Sequence, residues 1–328
     1  MQKGTSRHAV LAGFLGWTLD AFDFFVVVFL LDILAAQFAV PKKQIILTLT
    51  FTLAFRPVGA VIFGILADRF GRRGPLMANV IYFSVIELLS GFAQTYTQFL
   101  TLYIRAKVPE SEAWREHRVG TMREIGKELR GHARGFAYVV LLMTFMMFLS
   151  HGTQDLYPDF LKHEHHVAAT TVPWIAITYN IGAVVGAVIF GHLSQHIGRR
   201  YSMITALTLS ICVMPFWAFG STLLILAVGA FFMQAGVQGA WGIIPVHLNE
   251  LSPDRVRGLV PGLGYQLGIL IAAPTNTIED ALRERFGYSW ALAGFEIFVI
   301  VSLTIILLLG REQRGRSFYS GDLAIERD

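Results

Sequence analysis

Residues 59–73 read GAVIFGILADRFGRR and residues 186–200 read GAVIFGHLSQHIGRR, with ten of fifteen positions identical at an offset of 127. Each copy is an apolar helix end with glycines, a tight turn, then Gly-Arg-Arg leading into another apolar run. One hairpin written twice means a duplicated architecture. Around it, 54% of the chain is apolar and 15% charged. The charge-poor runs reach the roughly 20 residues that a helix needs to cross about 30 Å of hydrocarbon. They are apolar all round rather than striped, which argues against a soluble enzyme built from amphipathic helices. The expected fold is therefore an all-α polytopic membrane protein, with the lipid bilayer as its surroundings.

Nine spans are expected, at roughly 9–32, 45–66, 75–95, 136–158, 172–193, 202–219, 222–246, 258–276 and 289–310. The first apolar run is too long for a cleaved signal peptide and reads as a retained span. Lys3 and Arg7 put the N-terminus in the cytoplasm by the positive-inside rule, and Arg69, Arg72 and Arg73 follow the second span on the same side. After the third span the chain should emerge outside, yet residues 105–135 carry eight Lys or Arg. That segment is expected to be cytoplasmic and to form a short amphipathic helix on the membrane surface. With the basic segment inside, Arg199, Arg200, Arg255, Arg257 and the tail Arg311, Arg314 and Arg316 all fall in the cytoplasm. Lys42, Lys43, Lys162, Arg283 and Arg285 then lie in outer loops. An odd number of crossings is missing between residues 95 and 105. Lengths agree: three spans occupy about 95 residues before the basic segment and six occupy about 175 after it, a shortfall of about 80, or roughly three helices with loops. The join is expected at residues 100–103. The organisation read here is an incomplete N-terminal bundle (1–102), a cytoplasmic basic linker (103–135), a six-helix C-terminal bundle (136–310) and a cytoplasmic tail (311–328), in a multi-pass protein of the cell membrane.

Ionisable groups inside the hydrocarbon region are costly and mark function by default. Asp20 and Asp23 share one face of span 1. Asp20 lies roughly 16 Å from its inner end and Arg56 about 15 Å from the inner end of span 2, so the depths match. Two readings stay open: an ion pair joining the two helices, or a direct role in binding a carboxylate through Arg56 and coupling it to a proton. In SHGTQD, residues 150–155, His151 and Asp155 are four apart on one face, a pairing that suits a proton carrier. Ser150, Thr153 and Gln154 stand beside them as hydrogen-bonding groups, and Gly152 and Pro158 permit a break in the helix. The plainer alternative is that this stretch caps the helix. Glu87 and Glu296 are read as buried acids. Asn180, Gln234, Gln238, Trp241, Tyr265 and Gln266 either line a cavity or bond between helices, and Gly182, Gly186 and Gly191 allow close packing. In the first turn Asp68 can pair with Arg72, with Arg73 beside it, as a gating latch. In the second, Arg199 and Arg200 follow Gln195, so an uncharged latch is expected. His163, Glu164, His165 and His166 have metal-compatible spacing but are expected to form an exposed loop. Cys212, the single cysteine, lies in an apolar run, which excludes a disulfide or cysteine metal site within one chain. No cofactor, metal or nucleotide signature stands out, and the net charge of +4 is explained by topology, so no nucleic-acid partner is expected.

The Asp-Arg-Phe-Gly-Arg-Arg turn at 68–73, its twin at 195–200, the basic central segment and the six-helix second half together resemble the major facilitator superfamily. The resemblance implies two pseudosymmetric bundles with substrate bound between them near the midplane. In those terms the chain is helices 1 to 3 joined to helices 7 to 12. Pro109-Glu110-Ser111 is similar to the segment after helix 6 in that family. Residues 16–25, GWTLDAFDFF, and 150–155 are similar to the sialate:proton symporter group, which includes the fungal Jen-type lactate and pyruvate permeases. That group's helix 7 motif is matched at its central six positions, with Met147 in place of the Asn and Asp159 in place of the last Thr. The implied function is proton-coupled symport of a small organic anion, a monocarboxylate of the lactate or pyruvate kind, by alternating access. The alternatives are an internally deleted, transport-inactive membrane protein, or the same fold with sialate, sugar or aromatic acid specificity. An enzyme is not expected, and oligomeric state is not legible.

Overall fold

A computed structural model of the chain describes residues 24–70, 81–82, 84–86, 88–106, 130–252 and 259–312, with backbone only for 60–70, 104–106 and 259. Among these residues the regular structure is helical throughout. In chain order the helices are α1 (Leu31–Gln37), α2 (Lys42–Phe70), α3 (Tyr96–Ala106), α4 (Ala133–Gln154), α5 (Tyr157–His163), α6 (Val172–Ile197), α7 (Arg199–Phe219), α8 (Leu223–Trp241), α9 (Ile244–Leu251), α10 (Leu259–Ala272), α11 (Thr275–Phe286) and α12 (Tyr288–Leu309). Five stretches are long and apolar enough to cross a membrane: Ala133–His163, Val172–Ile197, Arg199–Phe219, Leu223–Leu251 and Tyr288–Leu309. The pair α1 and α2, bent by 117°, makes a sixth if it is one broken span. Residues 9–23 of the first expected span lie outside the described residues, as do 75–80, 83 and Glu87 of the third and 107–129 of the basic segment.

Two compact units divide the described chain. The first comprises Met1–Glu112, Met147–Ile177 and Gln266–Val299. In it α2 packs against α1, α3 and α11. Ile45, Ile46, Leu49 and Leu53 form its buried stripe, and Thr48 and Thr52 turn their hydroxyls back onto carbonyls of their own helix. That arrangement lets hydroxyls sit in an apolar core without a stranded donor. Where the sequence reading puts the join of two half-spans, α3 runs unbroken, with the Phe99 and Tyr103 rings stacked at 5.4 Å. Its 11 residues give a length of about 16 Å, roughly half the hydrocarbon thickness.

The second unit comprises Ala113–Met146, Thr178–Tyr265 and Ile300–Asp328. Helix α8 is its hub. A Cβ at Gly182 or Gly186 of α6 would collide with the backbone of Phe231 or Ala235 in α8, and one at Gly229 or Gly236 of α8 would collide with the backbone of α7. Small residues are what bring helices together where lipid and side chains are equally apolar. Gly191 departs from that expectation, with nothing within 4 Å of its Cβ position. Apolar side chains are exposed along this unit: Ile181, Val184 and Val188 on α6, and Val301, Ile305 and Leu308 on α12. Spacings of three and four residues make each a continuous stripe suited to lipid.

Candidate functional site

Helix α4 stops at Gln154 and α5 begins at Tyr157 with Pro158 in its first turn, so the expected break falls at Asp155–Leu156. Gly152 is not its cause. It lies inside α4, where a Cβ would overlap Glu296 Oε1 and come within 3.0 Å of Glu279 Oε1, so its lack of a side chain makes room for two carboxyl groups. His151 Nδ1 lies 2.9 Å from Asp155 Oδ2, and Asn276 Nδ2 at the start of α11 donates to the same oxygen at 2.9 Å. With Oδ2 accepting both bonds, the imidazole proton sits on Nδ1. Asp155 is 1% exposed and His151 is partly open. Thr153 Oγ1 donates to Leu149 O at 2.8 Å, bonding to its own helix. Gln154 is buried beside it and Ser150 is half-buried.

One aromatic ring gathers the basic groups. Phe24 meets the His151 ring edge-on at 5.8 Å, and the Arg56 guanidinium carbon stands 6.0 Å from the centre of the same ring. Arg56 and His151 thus flank Phe24, at the outer limit of cation–π attraction for Arg56. Asp20 and Asp23 lie outside the described residues. Glu279 and Glu296 are 1% and 0% exposed, and none of their four oxygens has a hydrogen-bond partner among the described residues. The Asn276 Oδ1 atom is in the same position. Asn276 ends the expected span 258–276 and Glu279 falls in the expected loop after it, so neither stands among the sequence candidates. Their spacing of three on one helix face is the available signal.

A second polar cluster ties α1, α2 and α5. Lys42 Nζ bonds Asp32 Oδ1 at 2.8 Å and also bonds the buried Asp159, which accepts a hydrogen bond from Tyr288 Oη. His163 Nε2 approaches Asp32 at 3.0 Å and Asp159 at 3.5 Å, and Lys162 Nζ donates to Phe29 O at 2.9 Å. Lys42 is therefore the first residue of a helix holding two acids, not a bare loop lysine. Ligand atoms of Asp32, Asp159 and His163 lie within 4.8 Å of one another, but the lysine ammonium already supplies the positive charge there. Glu164 and His166 are exposed as expected.

The second Gly-Arg-Arg turn corrects the expectation of an uncharged latch. Gly198, at φ +96°, links α6 to α7, a backbone state that favours glycine. Gly198 has no side chain to cap α7. Instead Glu312 accepts from the Arg199 and Arg200 amides at 3.2 and 3.0 Å. Arg199 pairs with the buried Glu250 at the end of α9 at 3.1 Å and donates to Ser194 Oγ at 2.7 Å. Arg200 donates to the Leu307 and Leu308 carbonyls at the end of α12. The acids come from other helices, which is why Gln195 misleads. Gly71, Arg72 and Arg73, and the Asp68 side chain, lie outside the described residues.

Of the expected cavity-lining residues, Asn180 is exposed on α6 and Gln238 half-buried on α8, both in the second unit. Gln266 is half-buried on α10, its Oε1 without a hydrogen-bond partner among the described residues. Trp241 Nε1 donates to Met146 O at 3.2 Å and its ring meets Tyr265 at 6.4 Å, so it bonds between helices.

Two family profiles match: Major Facilitator Superfamily over residues 139–321, and Sugar (and other) transporter over 10–108. The chain is 40% identical over 152 residues to the Carboxylic acid transporter protein homolog of Saccharomyces cerevisiae, a match covering 46% of this chain and 24% of that protein. It thus spans about a quarter of that relative's length. It is 23% identical to the Sialic acid transporter NanX of Escherichia coli over 392 positions, covering 95% of each chain. Since 95% of 328 residues is about 312, about 80 of those positions have no residue opposite them here. The Galactose-proton symporter of E. coli is 28% identical over 152 residues, 46% of this chain and 32% of that protein.

Proposed function

This chain belongs to the major facilitator superfamily, and on that premise we propose that it carries a small monocarboxylate across the cell membrane together with a proton, by alternating access. The observation that carries the reading is the His151–Asp155–Asn276 constellation beside Phe24 and Arg56. A carboxylate bound bidentately by Arg56 would bring a negative charge toward His151. A proton carried at Nε2 of His151 would balance that charge. The anion and the proton would then travel together and leave together. Support for the substrate class comes from the names of the yeast and NanX relatives, and for proton coupling from the galactose relative. Both termini are proposed to be cytoplasmic, from the distribution of Lys and Arg.

A second reading is favoured by one observation. The positions missing against NanX amount to roughly three helices with loops, matching the shortfall expected at residues 95–105. A bundle lacking helices 4 to 6 would insert but not transport. Purified full chain in proteoliposomes, given an inward proton gradient and radiolabelled lactate, separates the two. Uptake that collapses with a protonophore supports symport. Uptake of sialate or galactose but not lactate would overturn the monocarboxylate assignment, and no uptake of any of the three would overturn transport.

A further inference from the structure

We propose that Glu279 of α11 and Glu296 of α12 form a proton-sharing carboxyl pair, a proton store distinct from His151. Both side chains are buried, and the Oε1 atom of each lies within 3.0 Å of the Cβ position that Gly152 leaves empty. All four oxygens lack hydrogen-bond partners among the described residues. An independent sign comes from Asn276, whose Oδ1 is buried, unpartnered and on the same helix one turn before Glu279. Two adjacent carboxylates in an apolar interior cannot both ionise without a counter-charge.

Among the described residues, the charged groups acting on the pair supply none. From α4 come Asp155, which adds negative charge, and His151, whose Nδ1 is committed to Asp155. On α11 the next residue, Asp280, is held by Arg283 at 2.7 Å, so that arginine is neutralised locally. From α12 comes the Phe295 ring, in contact with the Cβ position of Gly152. A single proton shared between Glu279 and Glu296 removes one charge and converts the orphaned oxygens into a donor and an acceptor. Asp155 lies between this pair and His151 as a shared electrostatic neighbour. A charge change at His151 is thereby felt by the pair, which makes it the natural reservoir for the proton that His151 exchanges.

For its part in transport this inference rests on the proton-coupled reading above, but its protonation state does not. Dicyclohexylcarbodiimide attacks protonated carboxyl groups in apolar surroundings. The detergent-purified full chain is treated at about pH 8, where an ordinary glutamic acid is ionised, and its peptides are mapped by mass spectrometry. One adduct on Glu279 or Glu296, reduced at least tenfold in the E279Q/E296Q double variant, is expected. No adduct on either glutamate, or loss of the adduct on adding sodium ions, would overturn the proton store in favour of two ionised acids or a cation site. In proteoliposomes Glu296→Gln should lower the ratio of proton-driven to substrate-gradient-driven lactate uptake at least tenfold. An unchanged ratio would overturn the role in coupling. A wild-type chain that moves no solute would sink the transport reading alone, because the labelling still reports the shared proton.

Discussion

At the scale of single residues, Asp155 is the pivot, because one of its oxygens meets both His151 and Asn276. Hydrogen bonds to charged groups contribute about 1.5–3 kcal/mol, so Asp155→Asn should reduce proton-driven lactate uptake about ten- to a hundredfold, read as initial rates in proteoliposomes. Close packing gives a prediction independent of transport. Gly186→Leu drives a side chain into the backbone of Ala235, whereas Gly191→Leu meets open space. The first should lower the melting temperature of the detergent-solubilised protein by an amount equivalent to about 1–3 kcal/mol, and the second should leave it within error. The His151–Asp155 pair is legible because an i, i+4 spacing is a local property of a helix. Asn276 and Glu279 are not, because their partners are brought in by a different helix and nothing in one segment announces the other.

Among the helices, the tie between Lys42 at the start of α2 and Asp159 in α5 has the clearest energetic consequence. Replacing Lys42 by Met leaves Asp159 buried beside Tyr288 without its cation, which should cost about 3–5 kcal/mol. The double variant K42M/D159N should recover most of that, a coupling that a thermal-unfolding mutant cycle measures. Acidification acts on the connection between α5 and α6. Burial, chiefly against the Phe160 ring at 4.8 Å, holds His165 below the ordinary histidine range, with Glu164 opposing and His166 reinforcing the shift. The neutral ring is the one the fold favours, so its contribution is present above the ordinary value of about 6.5 and is lost as pH falls through the lowered one. Hydrogen exchange of amides 164–171 should therefore quicken on acidification in the natural chain, and His165→Phe should blunt the change. The helix from 172 and those from 202, 222 and 289 can be read from sequence because apolar length alone defines them. The split between α10 and α11 cannot: the expected span runs on to 276, and the polar face beyond it reads as loop.

On the scale of the whole molecule, the duplicated turn and the helical membrane class are written in the sequence, since glycine, arginine and hydropathy carry them without reference to packing. The acids that answer the second turn are not, because Glu250 and Glu312 lie 51 and 112 or more residues away along the chain. Helix α3 makes the shortfall measurable. A helix of 11 residues cannot bridge about 30 Å of hydrocarbon without water reaching toward its middle. Thr101→Cys, at an exposed position of α3 in a Cys212→Ser background, should react with a membrane-impermeant maleimide at a rate within about tenfold of a loop cysteine. Labelling more than about a hundredfold slower would mean that lipid or protein seals this segment. These thresholds correspond to roughly 1.4 and 2.7 kcal/mol of protection. The carboxylate of Glu312, finally, closes the amide end of α7 three residues after α12 ends. It acts as a rivet between two stretches of chain, and it sets a limit for anyone trimming the protein. A stop after Glu312 keeps the rivet, whereas a stop two residues earlier leaves the Arg199 and Arg200 amides open and should register as a less stable protein with all its spans intact.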